Sequence, residues 1–280
     1  MFESLKALLE PPKGMQIDFT QPKGAKALAP ENGISWEIFA NPVALYIGGI
    51  TAVILELTEP SIGSGVWDHS NFKTDPFARL QRTGYAAMVT VYAPRDIAKK
   101  MIAHVVKMHD HVRGININGE EYYANDPQLL DWVQSTAVFG FTQAYSTFVR
   151  QLSTNEYDLA FQEAQASAHL YGAKNLPQSW QEWQFLLENT IPNLRESYIL
   201  EEFIQIMLYA DILPKQLKWL QKIFVKAAIE ITPEPIRSLP QLKDFKLSFF
   251  EKCFFRIIAK LNCWIPLSFL SPAQAKQRMK

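Results

Sequence analysis

Three histidines, His104, His109 and His111, fall within the stretch KKMIAHVVKMHDHVRGININGEEYY that runs from Lys99 to Tyr123. Imidazole is the side chain best suited to ligate a metal or to carry a proton near neutral pH. Read as a helix, Met101, Val105, Met108 and Val112 recur at i, i+4, i+7 and i+11, an apolar stripe predicted to face the core. His109 falls on one flank of that stripe, about 80° from Met101, while His104 and His111 fall together on the other. The second pair stands seven residues apart, about 10 Å along the axis, which is too far to hold one zinc ion. What remains is a single imidazole beside an apolar wall. Spacing alone leaves it either as an axial ligand or as a hydrogen-bonded histidine of the core.

A second polar set sits at predicted helix ends: His69, Ser70, Asp75, Arg79, Arg82, Thr83, Arg113 and Asp126. Arg79 and Thr83 are four apart and share a helix face, with Arg82 adjoining. Arg79 can tie a loop to a helix, or it can present a permanently charged, planar donor to an anion. A non-haem metal site would draw His69 and His109 together with Asp75 or Asp126. There is no HExxH, no glycine-rich phosphate loop after a strand and no nucleophile elbow, so zincin, nucleotide and hydrolase chemistries lack their residues.

The elements that must hold these groups are helices. Asn41-Pro42, Asp75-Pro76 and Asp126-Pro127 each put a capping side chain before a proline suited to the first turn, and Pro94 starts a further run. Helices are predicted from Pro42 to about Glu59, Pro76 to Tyr92, Pro94 to Arg113 and Pro127 to about Leu152. Residues 60–74 are read as a long structured loop carrying His69. Further helices follow over 156–171, closed by Gly172, then 179–189, 194–209 and 215–231, the last opened by Pro214. Gly114 is read as the helix stop at its C-terminal end, and Asn118-Gly119 suits a type I′ turn in a small hairpin. With one hairpin among many helices and no repeat, the class is all-α in a single domain.

Composition narrows the partners. The 280 residues are 48% hydrophobic, with 28 basic and 28 acidic side chains, enough apolar matter for a large core and no net charge to attract nucleic acid. The beginning of the chain has no secretory pattern, and a cytoplasmic location is expected. Cys253 and Cys263 would lie about 15 Å apart on a continuous helix, beyond disulfide reach. The uncharged run Val43–Leu55 is too short to span a bilayer and reads as a core helix. Residues 245–270 are amphipathic and basic. Packing of their aromatic side on the domain is the expectation, with peripheral membrane contact as the alternative.

The order of several pieces resembles a known family. Gly65-Val66, His69-Ser70-x-Phe72-x-x-Asp75-Pro76-x-x-Arg79-Leu80-x-x-Thr83, Met108-His109-x-x-Val112-x-Gly114, and Tyr123-x-x-x-Asp126-Pro127-x-Leu129-Leu130-x-Trp132-Val133 are similar to the MpaB-type oxygenases and the rubber oxygenase called latex clearing protein. The likeness covers roughly Pro42 to Leu187. It implies an all-α, globin-related fold holding haem b, with one axial histidine on a core helix, which by motif position is His109. It also implies that Arg79 and Thr83 match an Arg-x-x-x-Thr beside the haem, with Arg82 standing where the rubber oxygenase has a lysine. The family's upstream glutamate has no counterpart in residues 60–74, and Gln134 follows Trp132-Val133 where many members have histidine. The missing glutamate argues against cleavage of polyisoprene, and Gln134 against any function that rests on that histidine.

On this reading the chain divides into an irregular arm (1–35), a helical oxygenase-like domain (36–240), an amphipathic helix (241–270) and a basic tail (271–280). His109 would bind the iron of haem b, with Met101, Val105 and Met108 walling the porphyrin and His69 nearby. Arg79 is assigned to structure or to the propionates, and Arg82, with Thr83, to the distal side. The substrate is expected to be an apolar small molecule, and the sequence names no electron donor. A haemless binding protein on the same scaffold is the alternative.

Overall fold

The structure, a computed structural model, describes residues 11–12, 14–213, 215–262 and 270–280. Pro214, Cys263 and the rest of the expected carboxy-terminal helix up to residue 269 lie outside the described residues.

A short helix, α1 (Ile34–Ile38), is followed by helices that begin alike. Asn41, Glu59, Asp75 and Asp126 each accept a hydrogen bond from an amide of the first turn, and each precedes a proline whose missing N–H costs nothing there. They open α2 (Pro42–Leu57), α3 (Pro60–His69), α4 (Pro76–Tyr92) and, after α5 (Arg95–His109), α6 (Pro127–Phe148). Between α5 and α6 lies the antiparallel pair β1 (Arg113–Ile115) and β2 (Glu121–Tyr123), with Ile115 opposite Glu121. Then come α7 (Thr154–Tyr171), α8 (Trp180–Thr190), α9 (Tyr198–Tyr209), α10 (Lys218–Ile231), α11 (Glu234–Arg237), α12 (Phe249–Asn262) and α13 (Ser271–Arg278). The expected all-α class, with its hairpin, is what the chain forms. Among the described residues, no single helix is long and apolar enough to cross a membrane.

Helices α2 and α6 are the spine, running in opposite directions. A Cβ on Gly140 would stand 2.4 Å from the Gly48 carbonyl oxygen, so the two backbones touch where they cross. Around that crossing, Ile47, Ile54 and Leu55 of α2 and Trp132, Phe139 and Phe148 of α6 are buried. Trp183 of α8 stacks on both Trp132 and Phe139, at 5.7 and 4.9 Å. Each such side chain contributes about 1.5–3 kcal/mol through burial.

Helix α4 is seated differently. Only Val89, Val91 and Tyr92 of it are buried, and every residue from Pro76 through Met88 keeps accessible surface. It packs closely on α5 and less on the spine. Partly accessible positions recur at helical spacing on the spine itself: Gly49, Val53 and Glu56 on α2, and Val133, Ala137 and Phe141 on α6. These positions leave a partly open, largely apolar slot along the spine, with the Phe39–Phe141 ring contact at 4.7 Å beside it.

Three expectations are corrected. Residues 60–69 form α3 and not a loop. The Glu59 cap and Pro60 start it, while Gly63 and Gly65 let it lie against the Leu57 carbonyl and the Tyr122 ring, each 3.2 Å from where a Cβ would stand. The hairpin turn has a positive φ only at Gly119, and Asn116 Oδ1 accepts from the amides of Asn118 and Glu120, so it is not type I′. The basic tail is helix α13, and Arg278 is fully buried. Its guanidinium donates to the carbonyls of Ala25, Phe19 and Tyr92 at 2.8, 2.8 and 2.7 Å, fastening the amino-terminal arm to α4.

Candidate functional site

The apolar stripe expected to bury α5 is not the buried one. Ala98 and Ile102 are buried, while Met108 is 48% exposed and Met101 and Val105 are half-buried. At 100° per residue, His109 points between Ala98 and Ile102, about 20° from each, so it lies on the inward face and not on its flank. The helix is rotated because α4 and α7 pack on it, leaving the Met108 side open.

His109 closes α5, and its Nδ1 is buried without a hydrogen-bond partner. The side-chain oxygen of Asn125 is likewise buried and unpartnered, and it acts on the His109 ring. Asn125 cannot turn that oxygen away without loss, because its amide nitrogen donates to the Val106 carbonyl at 3.1 Å and to Asp110 Oδ1 at 2.7 Å. A proton on Nδ1 would satisfy both orphans and leave Nε2 with a free lone pair. Burial holds the imidazole pKa below its usual value, and the charge of Arg79 pushes the same way, against the Asn125 oxygen and Asp110. His109 is therefore kept neutral, the form in which histidine ligates metal.

Arg79 links His109 electrostatically to a residue that the sequence reading missed. Glu56, the sole charged residue of α2, is pushed up to about 7 by burial, against the opposing pull of Arg79 and of a hydrogen bond from Thr136 Oγ1 at 3.4 Å. Burial also lowers Arg79, and the charge of Glu56 counters it. No hydrogen bond or ion pair joins the two, and both keep accessible surface although they lie deep in the protein. They line a space and are not packed against each other. One acid ending an otherwise uncharged apolar run is the signal in the sequence, and it sits on the helix before residues 60–74.

The remaining candidates are placed as follows. Arg79 Nη1 donates to Thr83 Oγ1, which in turn donates to the Arg79 carbonyl at 2.9 Å. Arg82 is exposed and donates to Asn71 Oδ1 at 2.6 Å, and the arginine whose charge reaches both Glu56 and His109 is Arg79. Asp75 and Asp126 are spent as helix caps. His69 is exposed at the end of α3, and among the described residues no three His, Cys, Asp or Glu side chains converge as a metal site. Gln134 is half-buried on α6.

The donor set suits one imidazole ligand with a flat partner better than a chelate built wholly from protein. A neutral histidine with a fixed second nitrogen, an apolar slot, and a deep arginine able to meet a carboxylate are what haem b requires of its pocket. His109 would hold the iron, and Arg79 would meet the group's carboxylates.

Residues 36–259 match the family model described as ER-bound oxygenase mpaB/B'/Rubber oxygenase, catalytic domain. No curated protein and no solved structure matches the chain.

Proposed function

We propose, because the chain belongs to the family of the ER-bound oxygenases mpaB/B' and the rubber oxygenase, that it is a haem b-dependent, oxygenase-like oxidoreductase acting on an apolar small molecule, with His109 as the axial ligand. The observation that carries this reading is the partly buried His109 imidazole, held neutral, with its Nδ1 buried and unpartnered and the Asn125 side chain acting on the ring.

Bound haem iron would supply the activation of oxygen. The chain's own groups define what surrounds that chemistry. Asn125 fixes the tautomer and orientation of His109, and a ring so held is a stronger base toward a metal. Arg79 supplies fixed positive charge inside a low-dielectric slot, where such a charge acts more strongly than in water. Glu56, titrating near neutrality, can take or give a proton at its Oε atoms, and the Thr136 hydroxyl orients the carboxyl. The slot walls, Val53, Val133 and Phe141, are apolar and favour an apolar substrate.

The test is a haem titration of the purified chain. A Soret band developing with one haem per chain, and lost in His109→Ala, supports the reading. Lack of any band overturns it and leaves the scaffold as a haemless binding protein.

A further inference from the structure

Helix α12 is apolar on two faces. One buries Phe255 and Ala259 against the spine, with Phe255 in ring contact with Phe148 and Phe224 at 5.8 and 4.8 Å. The opposite face carries Phe250, Phe254 and Ile257 at i, i+4 and i+7. Phe250 is 83% and Ile257 60% exposed, and the adjoining Phe249 is 75% exposed. Trp219, 56% exposed at the start of α10, extends the surface through its contact with Phe254 at 5.7 Å. A surface helix ordinarily puts polar residues on its outer face, and large aromatic patches in water mark a contact surface.

The rim says which contact. Lys222, Lys246, Arg256 and Lys260 are exposed on or beside the same elements, Arg256 also donating from Nε to the Thr147 carbonyl at 3.3 Å. Of the acids there, Glu230 and Glu251 are neutralised by Lys252 and Lys226 at 3.1 and 2.7 Å, which leaves the exposed Asp244 beside Lys246. Exposed aromatics within a basic rim match the boundary between acyl chains and anionic headgroups. A second copy of the chain placed on the same face would set one basic rim against another, which disfavours a two-fold dimer there.

We propose that this face docks on an anionic lipid bilayer, with Phe249, Phe250, Ile257 and Trp219 entering the interface and the basic rim meeting the headgroups. The proposal does not rest on the haem reading, since binding is measured on the chain without haem. The experiment is co-sedimentation of the full chain with phosphatidylcholine vesicles, with and without phosphatidylserine. We expect binding about tenfold or more tighter with phosphatidylserine, weakened by salt, and reduced about tenfold by Phe250→Glu with Ile257→Glu. Quenching of Trp219 by brominated lipid in the wild type, lost in Trp219→Phe, reports insertion without relying on the double variant. Absence of binding to phosphatidylserine vesicles, or binding that the double variant retains, overturns the proposal. So does quenching that survives Trp219→Phe. A dimer abolished by the double variant, without vesicle binding, overturns it in favour of a second copy.

Discussion

His109 and Asn125 present complementary orphans to one another: a buried imidazole Nδ1 and a buried amide oxygen, neither with another hydrogen-bond partner. Asn125→Ala should therefore lower the His109 pKa further, since Asn125 is the larger of the two influences, with Asp110, that raise it. The same variant should weaken haem binding by roughly 10- to 100-fold, the usual cost of removing a residue that orients a ligand. NMR titration of the ring reads the first effect and haem titration the second. An unmoved histidine pKa with weaker haem binding would assign Asn125 to fixing the end of α5 alone.

Glu56 titrates at about 7 in the folded chain, against 4.5 for the ordinary group. The folded state thus keeps its proton longer than the unfolded state. Its contribution to stability is complete below about pH 4.5 and is lost as pH rises toward 7. The loss is at most about 3 kcal/mol. Glu56→Gln should remove this slope, matching the wild type at pH 4.5 and exceeding it in denaturant midpoint at pH 8. Parallel midpoint curves for the two proteins across that range would show that Glu56 is not held as described.

Arg79 depresses both Glu56 and His109 electrostatically. Arg79→Ala should raise both pKa values and, in the haem-loaded protein, lower turnover by about 100-fold, comparable to loss of one preorganised electrostatic contact. Arg82→Ala, which removes an exposed side chain tied to Asn71, should change turnover by less than about threefold. Equal losses in the two variants would return the distal assignment to Arg82.

Much of this was legible from local chemistry. Cap and proline pairs at Asn41, Asp75 and Asp126 located three helices because their signals are contained within a few residues. The same signal at Glu59-Pro60 was obscured by the glycines of α3, whose role is close approach to Leu57 and Tyr122 and not flexibility. His109 was found by motif position, yet its inward orientation was not, because the more hydrophobic stripe of α5 is half open to solvent. Glu56 reaches Arg79 from α2 and Asn125 reaches His109 from the hairpin exit, a juxtaposition set by the Gly48–Gly140 crossing and by the packing of α4 on α5, which no local pattern encodes.

Arg278 shows the same limit at the end of the chain, where a basic tail became a buried clasp. Arg278→Ala would strand two buried carbonyls, at Phe19 and Tyr92, and a partly buried one at Ala25. A loss of about 3 kcal/mol is expected. Hydrogen exchange in residues 19–29 should accelerate along with the drop in unfolding midpoint. Unchanged exchange in that arm would show that it is held by apolar contacts alone.

If His109 offers a neutral imidazole to haem iron, the absorption spectrum of the haem-titrated protein records it. A saturable Soret band at one haem per chain is expected, abolished in His109→Ala and retained in His104→Ala and His111→Ala. A spectrum indistinguishable between wild type and His109→Ala would contradict it.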